Sequence, residues 1–88
     1  MSAGSERRSL RYIRLAAFLA AQPPDIDHLV MSFAEIEELI GTELPTGARF
    51  PSWWRNDEHR VHSRAWLSAG WRVELRGPDR VEFIRGDT

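Results

Sequence analysis

Trp71-Arg72-Val73-Glu74-Leu75-Arg76 alternates apolar with charged side chains, Gly77-Pro78-Asp79 interrupts the run, and Arg80-Val81-Glu82-Phe83 alternates again. Because successive side chains of a strand point to opposite faces, this pattern predicts a β-hairpin with one buried and one solvated face. A lone two-stranded ribbon is marginal in water, so the residues before it have to cover the apolar face.

Those residues read mainly as helices. Leu10, Ile13, Ala16, Ala17 and Ala20 fall at helical spacing, with Tyr12, Leu15 and Leu19 widening the stripe, which predicts a first helix from a Ser9 cap to about Ala21. Pro23-Pro24 ends it, Asp25-Ile26-Asp27 turns the chain, and His28-Leu29-Val30-Met31 suits one strand. Ser32-Phe33-Ala34-Glu35 has the form of a capping box, in which the Ser32 hydroxyl accepts from the Glu35 amide and the Glu35 carboxylate accepts from the Ser32 amide. Phe33, Ile36, Leu39 and Ile40 form the apolar face of that helix, Glu37 and Glu38 are expected to face water, and Gly41 supplies the left-handed stop. Leu44-Pro45 opens a short helical turn to about Phe50, which Pro51 keeps short. Val61, Ala65, Trp66 and Ala69 mark a last helix over 58–69, ended by Gly70.

The expected fold class is therefore α+β: a small winged-helix-like domain with the order helix, strand, helix, short helix, helix, β-hairpin. Residues 1–8 read as a flexible N-terminal arm, 9–85 as the domain and 86–88 as a tail. At 88 residues the core has to be dense in aromatics, and four Trp, four Phe and one Tyr supply them. Phe33, Ile36, Ile40, Leu44, Trp66, Trp71, Val73, Val81 and Phe83 are expected to meet the stripe of the first helix in one core. With no cysteine, neither a disulfide nor a thiolate metal site contributes. No apolar run approaches the ~20 residues of a membrane span and no basic-then-apolar leader opens the chain, so a cytoplasmic protein with no membrane partner is expected.

The formal net charge of −1 hides an uneven layout. Residues 1–21 carry four Arg against one Glu, 22–44 carry six acids and no Arg, and 45–85 carry eight Arg against five acids. Phe33, Glu35, Ile36, Leu39, Ile40, Gly41, Leu44, Pro45, Ala48 and Arg49, then Trp53, Trp54 and Asn56, then Ala65, Trp66, Leu67, Gly70, Trp71 and Val73, and finally Val81, Phe83 and Arg85 form a further pattern. It resembles that of a family of small bacterial domains of unknown function, close to FxEIExLIGxxLPxxAR, WWxN, AWLxAGWxV and VxFxR, over about Tyr12 to Arg85. The resemblance implies a shared fold and a shared binding surface and carries no activity with it. Pro51 is the main departure from the pattern, since other members often keep a helix-compatible residue there.

The stretch Phe50-Pro51-Ser52-Trp53-Trp54-Arg55-Asn56-Asp57 carries the candidate site. Adjacent residues point in different directions, so one core rarely takes both tryptophans. On a functional reading an exposed Trp53 or Trp54 stacks on a base beside Arg55 while Asn56 reads a base edge or fixes a phosphate. On a structural reading one Trp fills the core, the other covers the sheet edge, and Asn56 caps the last helix. Thr46, Gly47 and Arg49 follow the turn after the capped helix, where a helix-turn-helix presents its reading residues. Arg49, Arg55, Arg60 and Arg64 could form a phosphate-positioning strip, joined by the wing arginines Arg76 and Arg80.

His59 and His62 stand at i, i+3, but zinc needs three or four ligands and neither a cysteine nor a third nearby histidine completes a set, so no metal or other cofactor is expected. Ser52 and Ser63 lack a nucleophile-elbow context, and no enzymatic activity is expected. The resulting expectation is a DNA-binding domain acting as a regulator or accessory factor in a bacterial or phage setting. The alternative is a protein-interaction module that docks a partner protein through the Trp-rich patch or the acidic helix around Glu35 to Glu43. Segregated charge favours DNA, while the near-neutral pI of about 6.3 favours the alternative, because sequence-independent DNA affinity comes mainly from phosphate neutralisation.

Overall fold

The computed structural model describes residues 11–86, so the N-terminal arm, the Ser9 cap and the last two residues of the tail lie outside the described residues. Three helices cover one face of a three-stranded antiparallel sheet: α1 (Ile13–Ala20), β1 (His28–Ser32), α2 (Phe33–Ile40), 3-10 turns at Thr46–Arg49 and Pro51–Trp54, α3 (Val61–Leu67), β2 (Trp71–Leu75) and β3 (Arg80–Arg85). The strand order is β1-β3-β2. The expected hairpin is β2–β3, with Val73 opposite Phe83 and Leu75 opposite Val81, and β1 closes the other side with Leu29 opposite Phe83.

One face of the alternating pattern is buried, as the sequence requires: Trp71, Val73, Val81 and Phe83 join Met31, Ile36, Ile40, Ala48, Trp54 and Trp66 in the core. Two details differ from expectation. Helix α1 turns Leu15 and Leu19 inward and leaves Ile13, Ala17 and Ala20 exposed, because the two leucines remove more apolar area than the alanine stripe could. Phe33 and Leu44 sit at the margin of the core, Phe33 lying against the Trp54 ring at 5.6 Å.

Helix ends follow local chemistry. The Ser32 hydroxyl accepts from the Glu35 N–H at 3.0 Å, the Glu35 carboxylate accepts from the Ser32 N–H at 2.8 Å, and Gly41 adopts the left-handed conformation that stops α2. Glu37 does not simply face water: its carboxylate accepts the Leu44 N–H at 2.8 Å and ties the following loop to the helix. Replacing Ser32 with Ala is expected to lower stability by about 1 kcal/mol. Glu37→Ala should lose a similar ~1 kcal/mol through that hydrogen bond, while exposed Glu38→Ala stays within about 0.5 kcal/mol of the parent. Urea denaturation of the three variants checks the order.

Phe50 is extended, as a residue before proline should be, and it ends the expected short turn, a 3-10 segment at Thr46–Arg49; a second 3-10 segment, Pro51–Trp54, follows where no element was expected. Helix α3 starts three residues later than expected. The Asp57 carboxylate accepts the His59 N–H at 2.9 Å and the Asp57 carbonyl accepts the Arg60 N–H at 3.0 Å, so a turn occupies those residues before the helix begins. At the other end of the molecule Arg85 replaces solvent at the end of α1. Its guanidinium donates to the carbonyls of Gln22, Pro23 and Ile26 and lies 4.5 Å from the Trp71 ring, while the Trp71 indole donates to the Leu19 carbonyl.

Candidate nucleic-acid interface

The two adjacent tryptophans divide the work between them. Trp54, 3% exposed, enters the core and donates its indole N–H to the Ala48 carbonyl at 2.7 Å. Trp53 is half-buried, not over the sheet edge but beside α1 and α3: one face stacks on the His62 ring at 3.9 Å and 6°, and Tyr12 lies 6.3 Å away. The open aromatic ring of this stretch is Phe50, 60% exposed and next to exposed Arg49. The sequence pattern places Phe50 only at the end of the short turn and gives no sign of its exposure.

Asn56 neither caps α3 nor keeps its amide free for a base. Its Oδ1 accepts from the Trp66 indole and from the Val73 N–H, both at 2.9 Å, and its Nδ2 donates to the Val73 carbonyl at 3.1 Å. One N–H of the side chain is left over. Ser63, fully buried on α3, donates to the Arg55 carbonyl at 2.6 Å. Together these bonds fix the connector between α3 and the outer edge of β2.

The arginines fall into separate groups. Arg60 turns back onto the connector, donating to the Ser52 carbonyl and lying 3.8 Å from Asp57. Arg64, which is exposed, donates through Nε to the Glu58 carbonyl at 2.8 Å. On the hairpin, Arg76 is held by Glu74 and Glu82 at 2.7 and 2.9 Å, and Arg80 lies 3.6 Å from Asp79, so neither of these arginines stands as a free charge. Thr46, Arg49 and Arg55 are exposed, and neither Arg49 nor Arg55 has an ion-pair partner among the described residues.

Arg55 and Arg64 share one surface, and His59 stands between them. A hollow lined by Arg55, Asn56, Asp57, Glu58, His59 and Leu67 runs into a second that shares Glu58, His59 and Leu67 and adds Arg64 and Ser68. Arg64 and Ser68 then border a cleft between α1 and α3 lined by Tyr12, Ile13, Ala16, Val61 and Ala65. A continuous depression therefore crosses the outer side of α3, polar at the connector end, where Arg55 and Arg64 share the lining with Asp57 and Glu58, and apolar at the α1 end.

Comparison with known proteins places the sequence in a family. The pattern of a family described as a domain of unknown function, DUF7662, matches residues 12–86, nearly the whole chain. The chain belongs to DUF7662. Searches of curated proteins and of solved structures returned no match. In this DUF7662 domain no group of three or more His, Cys, Asp or Glu side chains able to hold a metal ion occurs among the described residues. Nor, among those residues, is any helix long and apolar enough to cross a membrane.

The Trp53–His62 stack makes the DUF7662 domain sensitive to pH. His62 Nε2 lies 2.7 Å from the Trp53 carbonyl, an acceptor, so that nitrogen carries the proton. Burial pushes the His62 pKa below its ordinary 6.5, against the pull of that hydrogen bond. A histidine whose folded pKa is depressed binds protons more readily in the unfolded chain, so stability is full above about 6.5 and declines as pH falls from there toward the folded value. Glu82 acts in a lower window: hydrogen bonds from His28 and then Arg76 hold its pKa down, so its contribution is present above about 4.5 and lost below it. Thermal melts from pH 7.5 downward are expected to show the first decline in the parent, and a smaller one in His62→Gln, which keeps a donor for the Trp53 carbonyl and cannot titrate.

Proposed function

We propose that this domain binds duplex DNA as a small winged-helix-like module, serving as a regulator or accessory factor. The chain order α1-β1-α2-α3-β2-β3 and the sheet order β1-β3-β2 support the winged-helix reading, with α3 as the helix offered to the major groove. The observation that carries the proposal is the continuous depression over α3, which brings Arg55 and Arg64 to one surface, with His59, Asp57 and Glu58 between them, although nine positions separate the two arginines in sequence. Their guanidiniums suit phosphate oxygens, and phosphate contacts are what position a protein on a duplex. The open ring of Phe50 beside Arg49 suits apolar contact with a thymine methyl group. Because Arg76 and Arg80 are matched by acids, the hairpin supports this binding by shape more than by charge, and the overall charge of −1 limits it to one face.

Fluorescence anisotropy with a labelled duplex at low salt tests the reading. Affinity is expected to fall linearly on a log–log plot against salt, and Arg55→Ala and Arg64→Ala should each reduce that slope by about 1. Their stability should stay within about 0.5 kcal/mol of the parent, since exposed arginines hold little of a fold together. Absence of binding at low salt, or an unchanged slope in both variants, overturns the proposal.

A further inference from the structure

The sheet has two edges, and they are treated differently. In the β1–β3 ladder the Phe33 N–H donates to the Asp79 carbonyl and the Arg85 N–H to the Asp27 carbonyl, which fixes the odd-numbered residues of β1 as those whose backbone faces β3. The backbone groups of His28, Val30 and Ser32 therefore point away from the sheet. In the β2–β3 ladder the Arg76 N–H donates to the Arg80 carbonyl, so Trp71, Val73 and Leu75 point outward from β2. Asn56 takes both outward groups of Val73 and breaks that edge in the middle. On β1, Ser32 is taken by Glu35, but the N–H and C=O of His28 and Val30 have no partner among the described residues. An unblocked edge is a template for another strand.

Beside this edge, on the helix side of the sheet, lies an open hollow of about 270 Å³ with an apolar floor of Phe18, Met31 and Leu39 and a rim of Glu35 and Glu38. It is lined by Met31 of β1 and by no residue of β3, which puts it on the β1 side of the sheet. On the solvent side of the same edge Val30 is 57% exposed. The two features fit one kind of occupant. A strand added along β1 sends alternate side chains to opposite faces, so residues opposite Leu29 and Met31 reach the hollow while those opposite His28 and Val30 lie along the solvent face. The hollow favours a long aliphatic stem with a cationic head between Glu35 and Glu38, and Val30 favours an apolar neighbour.

We propose that β1 captures an extended segment of a partner protein in which arginine or lysine alternates with apolar residues, bound as a fourth strand. This surface is formed by α1, α2 and β1 and uses none of the residues assigned to DNA, so the two can fail separately. The probe is a short fluorescent peptide of alternating arginine and valine. It is expected to bind saturably, to perturb the amide resonances of His28 and Val30, and to slow hydrogen exchange at Val30. Val30→Pro should weaken it by about tenfold or more; the Val30 N–H makes no ladder bond, so proline is tolerated on this edge. Glu38→Arg, an exposed substitution, should weaken it by a similar ~10-fold factor without touching the backbone. The same peptide N-methylated at alternate positions keeps its charge and should not bind. Equal binding of the methylated peptide, full affinity in Glu38→Arg, or amide shifts around Arg55 and Arg64 in place of β1 would each overturn strand addition.

Discussion

Trp66→Ala is expected to lose about 3–5 kcal/mol, which leaves a domain of this size largely unfolded at room temperature. Trp66 is the centre of the aromatic core: fully buried, it lies 5.6 Å from the Trp54 ring, 6.1 Å from Phe83 and 6.4 Å from Trp53. These neighbours come from the connector and from β3, while Trp66 itself is on α3, so no single element can move inward to refill the space. The cavity term is then near its maximum. Truncation also frees Asn56 Oδ1 from the indole N–H. Trp66→Phe separates the two contributions, since it keeps most of the apolar ring and loses the donor; about 1–2 kcal/mol is expected for it. Urea denaturation followed by circular dichroism measures both. A Trp66→Ala protein with the parent's midpoint would show that α3 does not pack on the sheet through this ring.

The sequence made the sheet and α2 legible because each is specified by local rules. Alternation in 71–76 and 80–83 needs no knowledge of the rest of the chain, and Ser32, Glu35 and Gly41 determine where α2 begins and ends through bonds of three or four residues' span. What the sequence hid depends on long-range partners. Glu37 looks solvated until the loop returns Leu44 to it, and Asn56 looks like a helix cap until β2 arrives seventeen residues later. The same holds for the arginines. Twelve of them in one chain read as a basic surface, yet Arg85 serves carbonyls, Arg60 its own connector and Arg76 two carboxylates. Among the described residues, Arg55 and Arg64 are the arginines that line the depression over α3.

Asn56→Ala is the second change expected to matter most, although the residue itself is exposed. It strands three groups at once: the Trp66 indole N–H, the Val73 N–H and the Val73 carbonyl. Each unsatisfied buried group costs about 1–3 kcal/mol. Water can reach the two Val73 groups at the sheet edge more readily than the indole of fully buried Trp66, so the total expected is about 2–4 kcal/mol, below the simple sum. Asn56→Asp refines the assignment, because a carboxylate still accepts from Trp66 and Val73 but turns its second oxygen, in place of a donor, toward the Val73 carbonyl. It should be at least as destabilising at neutral pH and recover part of the loss in acid, where a protonated Asp can donate again. The Val73 amide should exchange faster with solvent in both variants. Removal of the side chain also leaves Trp71, Val73 and Leu75 as an uninterrupted row of outward-pointing backbone groups, the condition under which exposed edges pair with other chains. Sedimentation of Asn56→Ala at increasing concentration is therefore expected to show more self-association than the parent, and a variant that is destabilised yet associates no more than the parent would confine Asn56 to anchoring the connector.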